Sequence, residues 1–177
     1  MGDFEHDTIF IITVDGVHCR TYEARKNPTA KVYSHKTHGP AVAYELGLAI
    51  YEDRLVWING PFDASTHDIA MFRSEHDPGS GLMSHIPEGK RAIADSGYKG
   101  EPTRVTTHRE NHSKEMRKFI NRVRARHENF NARIKSFKIL SERFRSDRVH
   151  HKSAFESVCV LCQYDLENGH PLMMVCP

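Results

Sequence analysis

Ile9-Phe10-Ile11-Ile12-Thr13-Val14 is a run of apolar and β-branched residues that stops at Asp15-Gly16, the pattern of a buried strand ending in a turn. A shorter run of the same kind, Arg91-Ala92-Ile93-Ala94, stops at Asp95-Ser96-Gly97 and predicts a second such strand. Between them, residues 42–50 and 54–60 are rich in aromatic and β-branched side chains, and Tyr51-Glu52-Asp53 suits the turn of a hairpin joining them. Asn27-Pro28-Thr29 and Asp77-Pro78-Gly79-Ser80-Gly81 read as loops. Ser65-Thr66-His67-Asp68 has the form of a capping box and predicts a short helix through Phe72.

The period then changes. Met116, Phe119, Ile120, Val123, Phe130, Ile134 and Phe137 recur at three- and four-residue spacing, which predicts a long amphipathic helix. A last helix is expected over 153–166, stopped by Asn168-Gly169. Strands with a hairpin, another strand and then long helices make an α/β layer pattern, with no internal repeat or low-complexity tract.

Composition narrows the class. With 177 residues, 38% of them hydrophobic and 27% charged, the chain fits one soluble domain with a single core. No apolar run approaches the roughly 20 residues of a membrane span, and Met1-Gly2-Asp3-Phe4-Glu5 lacks the pattern of a secretory signal. Cys19, Cys159, Cys162 and Cys176 are not spread as a disulfide framework would be, which favours a reduced compartment. Cys159-Val160-Leu161-Cys162, with His150 and His151 upstream, suggests half a zinc site. Structural zinc takes four ligands in paired spacing, no second such pair exists, and the neighbours are apolar, so core packing is the better account. The 13 histidines are scattered and read mostly as surface or turn residues.

The net charge of +2 names no partner; its distribution says more, with a phosphate-binding stripe and a solvated helix face held by internal ion pairs as the two readings. Lys114, Arg117, Lys118, Arg122, Arg124, Arg126, Arg133, Lys135 and further basic residues crowd one segment, an electrostatic footprint for phosphate. At about 100° per residue, Arg124, Glu128, Asn131 and Lys135 share a helix face distinct from the apolar stripe.

Three acids therefore stand on elements able to aim them: Asp15 and Asp95 at strand ends, and Glu128 on the helix. Hard divalent cations take carboxylate oxygens, and two such ions clamp the attacking and leaving oxygens in phosphoryl transfer. The plain alternative is two turn aspartates and a solvated glutamate. Three acids packed without metal should also raise at least one carboxyl pKa by like-charge repulsion. Asp68 is a fourth acid, whose simpler role is to complete the capping box.

Val14-Asp15-Gly16-Val17-His18, Thr66-His67-Asp68, Ala94-Asp95-Ser96-Gly97-Tyr98 and the segment from Arg124 through Glu128 to Lys135 occur in this order. In these pieces the chain resembles the catalytic domain of DDE transposases of the Harbinger and IS5 type. The resemblance implies an α/β, RNase H-like fold with a mixed central sheet flanked by helices. It implies Asp15, Asp95 and Glu128 as catalytic ligands of two Mg²⁺ or Mn²⁺ ions, and Arg124 and Lys135 as DNA-backbone contacts. Asp68 would lie near the site as an additional acid. Related bacterial enzymes carry tyrosine where this chain has Asn121, which weakens the likeness to the bacterial branch and leaves that to the Harbinger branch intact. The expected activity is metal-dependent DNA cleavage and strand transfer, with DNA as partner and the nucleus as location. Full transposases of this kind carry an upstream helix-turn-helix region. The chain has no room for one before Ile9, so a separate DNA-binding protein would direct it to its target. The rival readings are a non-catalytic DNA- or protein-binding descendant and a truncated mobile-element remnant.

Overall fold

The computed structural model describes residues 9–22, 30–74, 77, 79–107 and 112–175; the loop expected at Asn27-Pro28-Thr29, Pro78 of the second loop, and Cys176 lie outside them. β1 (Phe10–Arg20) is the hub of a mixed six-stranded sheet. On one side it pairs antiparallel with β3 (Gly39–Ala49), which also pairs with the short β2 (Tyr33–Ser34) and with β4 (Leu55–Asp63). On the other side it pairs parallel with β5 (Arg91–Ala94), and β5 with β6 (Val105–Thr107). The β3–β4 hairpin turns at Tyr51-Glu52-Asp53, as its sequence predicts, closed by the Ala49 N–H donating to the Arg54 carbonyl at 2.9 Å.

β1 does not end at Asp15. Gly16 to Arg20 continue the ladder against Glu45 to Ala41 of β3, so Asp15 lies within a strand rather than in a turn. The parallel side does end there, since Val14 pairs with Ala94 and β5 goes no further. This asymmetry opens the sheet beside Asp15.

Among the described residues five α-helices cover the sheet: α1 (Asp68–Arg73), α2 (Leu82–His85), α3 (Lys114–Ser136), α4 (Lys138–Ser141) and α5 (His151–Glu167). Alternate residues of a strand face opposite sides. Ile12 and Val14 of β1, with Ala92 and Ala94 of β5, meet Phe72 and Leu82 of α1 and α2. Val17 and Cys19 meet Phe130 and Ile134 of α3, with Phe155, Cys159 and Cys162 of α5 behind them. Ile93 meets Phe119, Ile120 and Val123 near the start of α3. Burial of the α3 stripe, at roughly 1.5–3 kcal/mol per large apolar side chain, is what secures the helix to the sheet.

α3 begins at Ser113, whose hydroxyl accepts from the Met116 N–H at 3.1 Å. Its Arg126 is 3% exposed and reaches the β3–β4 turn, donating to the carbonyls of Ala49 (2.6 Å) and Glu52 (2.5 Å) and to Asp53 Oδ1 (2.8 Å). A buried guanidinium is tolerable only with such partners.

The capping box is not formed. His67 occupies the cap position of α1 with no side-chain cap bond, and the carboxylate of Asp68 turns instead to Lys36. Cys159 and Cys162 sit in the core as free thiols. Burial pushes them up, to about 12 and about 11 respectively, so both stay protonated at neutral pH. No helix among the described residues is long and apolar enough to cross a membrane.

Candidate active site

Because Val14 and Ala94 are the last paired residues of the parallel β1–β5 ladder, Asp15 and Asp95 follow it side by side. Asp15 shares a face with Thr13, and Asp95 with Ile93, the face that α3 covers. The carboxyl end of adjoining parallel strands is where open α/β sheets place their ligand sites. Asp15, Asp95 and Glu128 line one cavity of about 120 Å³, together with Thr13, Val14, Ile93, Arg124 and His127. The structure thus brings the three acids together, two from strands and one from the helix.

Each acid has distinct surroundings. Asp15 Oδ1 accepts from the Gly16 N–H at 2.8 Å and Oδ2 from Asn131 Nδ2 at 2.8 Å. Burial raises its carboxyl to about 6; the Gly16 bond and Lys36 pull the other way, and Asp68 and Asp95 add to the rise. Like-charge repulsion is therefore the lesser cause, behind desolvation. Asp95 is more open, its side chain 55% exposed and paired with Arg124 at 3.2 Å. Glu128 is exposed along the cavity wall.

Of the two expected phosphate contacts, Arg124 stands at the cavity and Lys135 does not. Lys135 points inward, where its ammonium bonds the His18 carbonyl, the Leu140 carbonyl at 3.3 Å and Cys19 Sγ at 3.4 Å. Those contacts account for all three of its donors. Nor is the basic segment one surface stripe. Arg126 is buried at the hairpin turn, and Arg133 bonds Asp165 and the carbonyls of His170 and Pro171. Lys114, Arg117, Lys118 and Arg122 remain exposed.

Asp68 lies on the opposite side of the strand ends from Glu128 and does not line the cavity. A Cβ on Gly16 would come within 2.8 Å of Asp68 Oδ1, and one on Gly97 would collide with Oδ2. Glycine at both positions is what lets this carboxylate fit between the Asp15 segment of β1 and the turn after Asp95. Lys36 Nζ balances it, at 3.3 Å from Oδ1 and 3.2 Å from Oδ2.

Sequence reasoning placed Asn131 on the right helix face without giving it a task, and it missed Lys36, Thr13 and His127. The clue for Asn131 is its position three residues after Glu128, one turn along the same face. Thr13 carries the corresponding clue, two residues before Asp15 and therefore on the same side of β1.

No curated protein matches the chain, and no solved structure does. The family model described as DDE superfamily endonuclease matches residues 14–163, a span that includes Asp15, Asp95 and Glu128. A match over most of the chain makes it a member of the DDE superfamily endonucleases.

Proposed function

We propose that the chain is a transposase-derived catalytic domain of the Harbinger/IS5 type, built on an RNase H-like sheet, that cuts and transfers DNA strands with divalent metal. One observation carries this reading: Asp15 and Asp95 adjoin at the end of a parallel strand pair while Glu128 lines the same cavity.

The donor set fits a hard cation. Mg²⁺ is commonly held by one or two carboxylates, with water and substrate phosphate completing its shell. Among the described residues no three His, Cys, Asp or Glu side chains stand close enough to hold one ion. Each ion would thus draw on fewer than three of these carboxylates. Two bound Mg²⁺ or Mn²⁺ ions would supply activation of a water or DNA 3′-hydroxyl and stabilisation of the leaving oxygen.

The remaining work belongs to the protein. Gly16 N–H and Asn131 each occupy one site on an Asp15 oxygen, which fixes the direction of the remaining lone pairs. Arg124 pairs with Asp95 at 3.2 Å, and where Asp95 held a cation its fork would be available to a phosphate oxygen. Asp68, paired with Lys36, contributes negative charge behind Asp15 rather than a wall of the cavity.

Supercoiled plasmid tests the reading. Nicking that needs Mg²⁺ or Mn²⁺ and stops with EDTA is expected. DNA binding with no cleavage under any divalent ion would instead identify a non-catalytic descendant. Binding itself should be weak, indifferent to sequence and steeply salt-dependent. Arg124→Ala should lower the slope of log K against log salt by about 0.9, one phosphate contact. Lys135→Ala should leave that slope unchanged, because its ammonium is held inside the fold.

A further inference from the structure

We propose that His127 is a positioning residue of the site: its hydrogen bond to Thr13 ties the helix turn bearing Glu128 to the strand segment bearing Asp15. This rests on the reading of the carboxylates as a divalent-cation site.

His127 precedes Glu128 on α3, and Thr13 lies two residues before Asp15 on the same face of β1. Both are 2% exposed, and both line the cavity. Thr13 Oγ1 stands 3.2 Å from the carbonyl of Leu48, its partner across the ladder, and 2.7 Å from His127 Nδ1. A carbonyl only accepts, so the single hydroxyl proton goes to Leu48. The hydroxyl must then accept from His127, which places the imidazole proton on Nδ1. Nε2 is buried without a hydrogen-bond partner among the described residues. As a bare lone pair it is a cheaper orphan than a buried N–H.

The chain Leu48–Thr13–His127 thus runs from β3 through β1 to α3 beneath the two carboxylates. Catalytic constellations need their groups held to about 0.5 Å, by packing and by supporting hydrogen bonds of this kind. Arg126 anchors the same turn to the hairpin, whereas His127 and Asn131 bond the part of β1 around Asp15.

The test is Mn²⁺ titration of the whole chain, followed by the electron paramagnetic resonance signal of the free ion, with far-ultraviolet circular dichroism alongside. His127→Asn keeps a donor where Nδ1 sits, and His127→Leu removes it. Thr13→Ser keeps the acceptor, and Thr13→Val removes it at nearly constant shape. Loss of a group that orients a ligand costs metal affinity about 10- to 100-fold, so the Leu and Val variants should bind Mn²⁺ at least ~10-fold more weakly, and the Asn and Ser variants nearly as well as the parent. Should His127→Leu fail to fold, the Thr13 pair decides by itself. Leu and Val variants that bind as the parent does, or Asn and Ser variants that lose as much as Leu and Val, would overturn the proposal. Glu128→Gln separates the two levels. If it abolishes Mn²⁺ binding while His127→Leu does not weaken it, only the positioning role falls. A parent chain that binds no Mn²⁺, or binds it equally well as Glu128→Gln, removes the cation site and the positioning role together.

Discussion

Asp95→Asn is expected to abolish metal-dependent plasmid nicking while leaving the fold intact. The amide keeps the shape of the carboxylate and loses the charge that attracts a cation. With its side chain 55% exposed and outside the strand ladder, the substitution should cost little stability. The lost ion pair with Arg124 is itself exposed and worth at most about 1 kcal/mol. The rate should fall on the order of 10³-fold or more, beyond what deletion of one oriented hydrogen-bond donor does to an enzyme. Nicking rates in Mn²⁺, measured beside thermal melting of the same preparations, check it. A folded variant that still nicks at a tenth of the parent rate would place the chemistry elsewhere.

The second large effect concerns stability. Glu45, on β3 opposite Gly16, is 0% exposed. Trp57 Nε1 donates to its Oε2 at 3.0 Å, and the buried Tyr98 hydroxyl is its other polar neighbour. Burial raises this carboxyl to about 8 from 4.5, opposed by the Trp57 bond and reinforced by Asp68. A carboxyl raised in the folded state binds its proton more tightly there than in the unfolded chain. Its contribution is therefore complete below the unfolded value and is lost as pH rises through about 8. The shift corresponds to on the order of 5 kcal/mol, or a melting-temperature loss of roughly 10 °C in a chain of this size.

The acid side has a different origin. His18, His127 and His151 are buried and held down, at about 4, about 3 and about 4. Stability that rests on neutral histidine is present above the unfolded value and fades as pH falls below it toward these values. Melting temperature should accordingly peak near neutral pH and decline on both sides. Glu45→Gln should flatten the alkaline limb and, because the Glu45 contribution already begins to fade above 4.5, also steepen the acid one. An unchanged alkaline limb in that variant would show that Glu45 is not the group responsible.

Much of this architecture was legible because it rests on long, regular patterns. The apolar run before Asp15, the hairpin at Tyr51-Glu52-Asp53 and the stripe from Met116 to Phe137 each repeat a period over enough residues to stand out. The extension of β1 beyond Asp15 was hidden, because Gly16 and His18 look like a turn until β3 supplies their partners. β2 and β6 span two and three residues, too few to show a period. At Asp68 the local preference for capping lost to a tertiary contact with Lys36.

The site was legible as a set of residue types and less so as a network. Three acids in family order pointed to one place, and the structure gathers them along one cavity. The direction of Lys135 depends on the carbonyls of His18 and Leu140, which no helical wheel shows. That His18, His127 and His151 are buried was not legible, because a single histidine carries no periodic signal. Their burial follows from hydroxyl partners distant in sequence, namely Ser34, Thr13 and Tyr44.

On the proposed reading, Asp15, Asp95 and Glu128 together hold the divalent ions with which the chain cuts DNA. The most direct test is a crystal of the full chain grown with Mn²⁺ and measured for anomalous scattering. Difference peaks within coordinating distance of Asp15 and of at least one of Asp95 and Glu128 are the expected result. A map whose Mn²⁺ peaks all lie away from these three carboxylates, from crystals at saturating Mn²⁺, would contradict it.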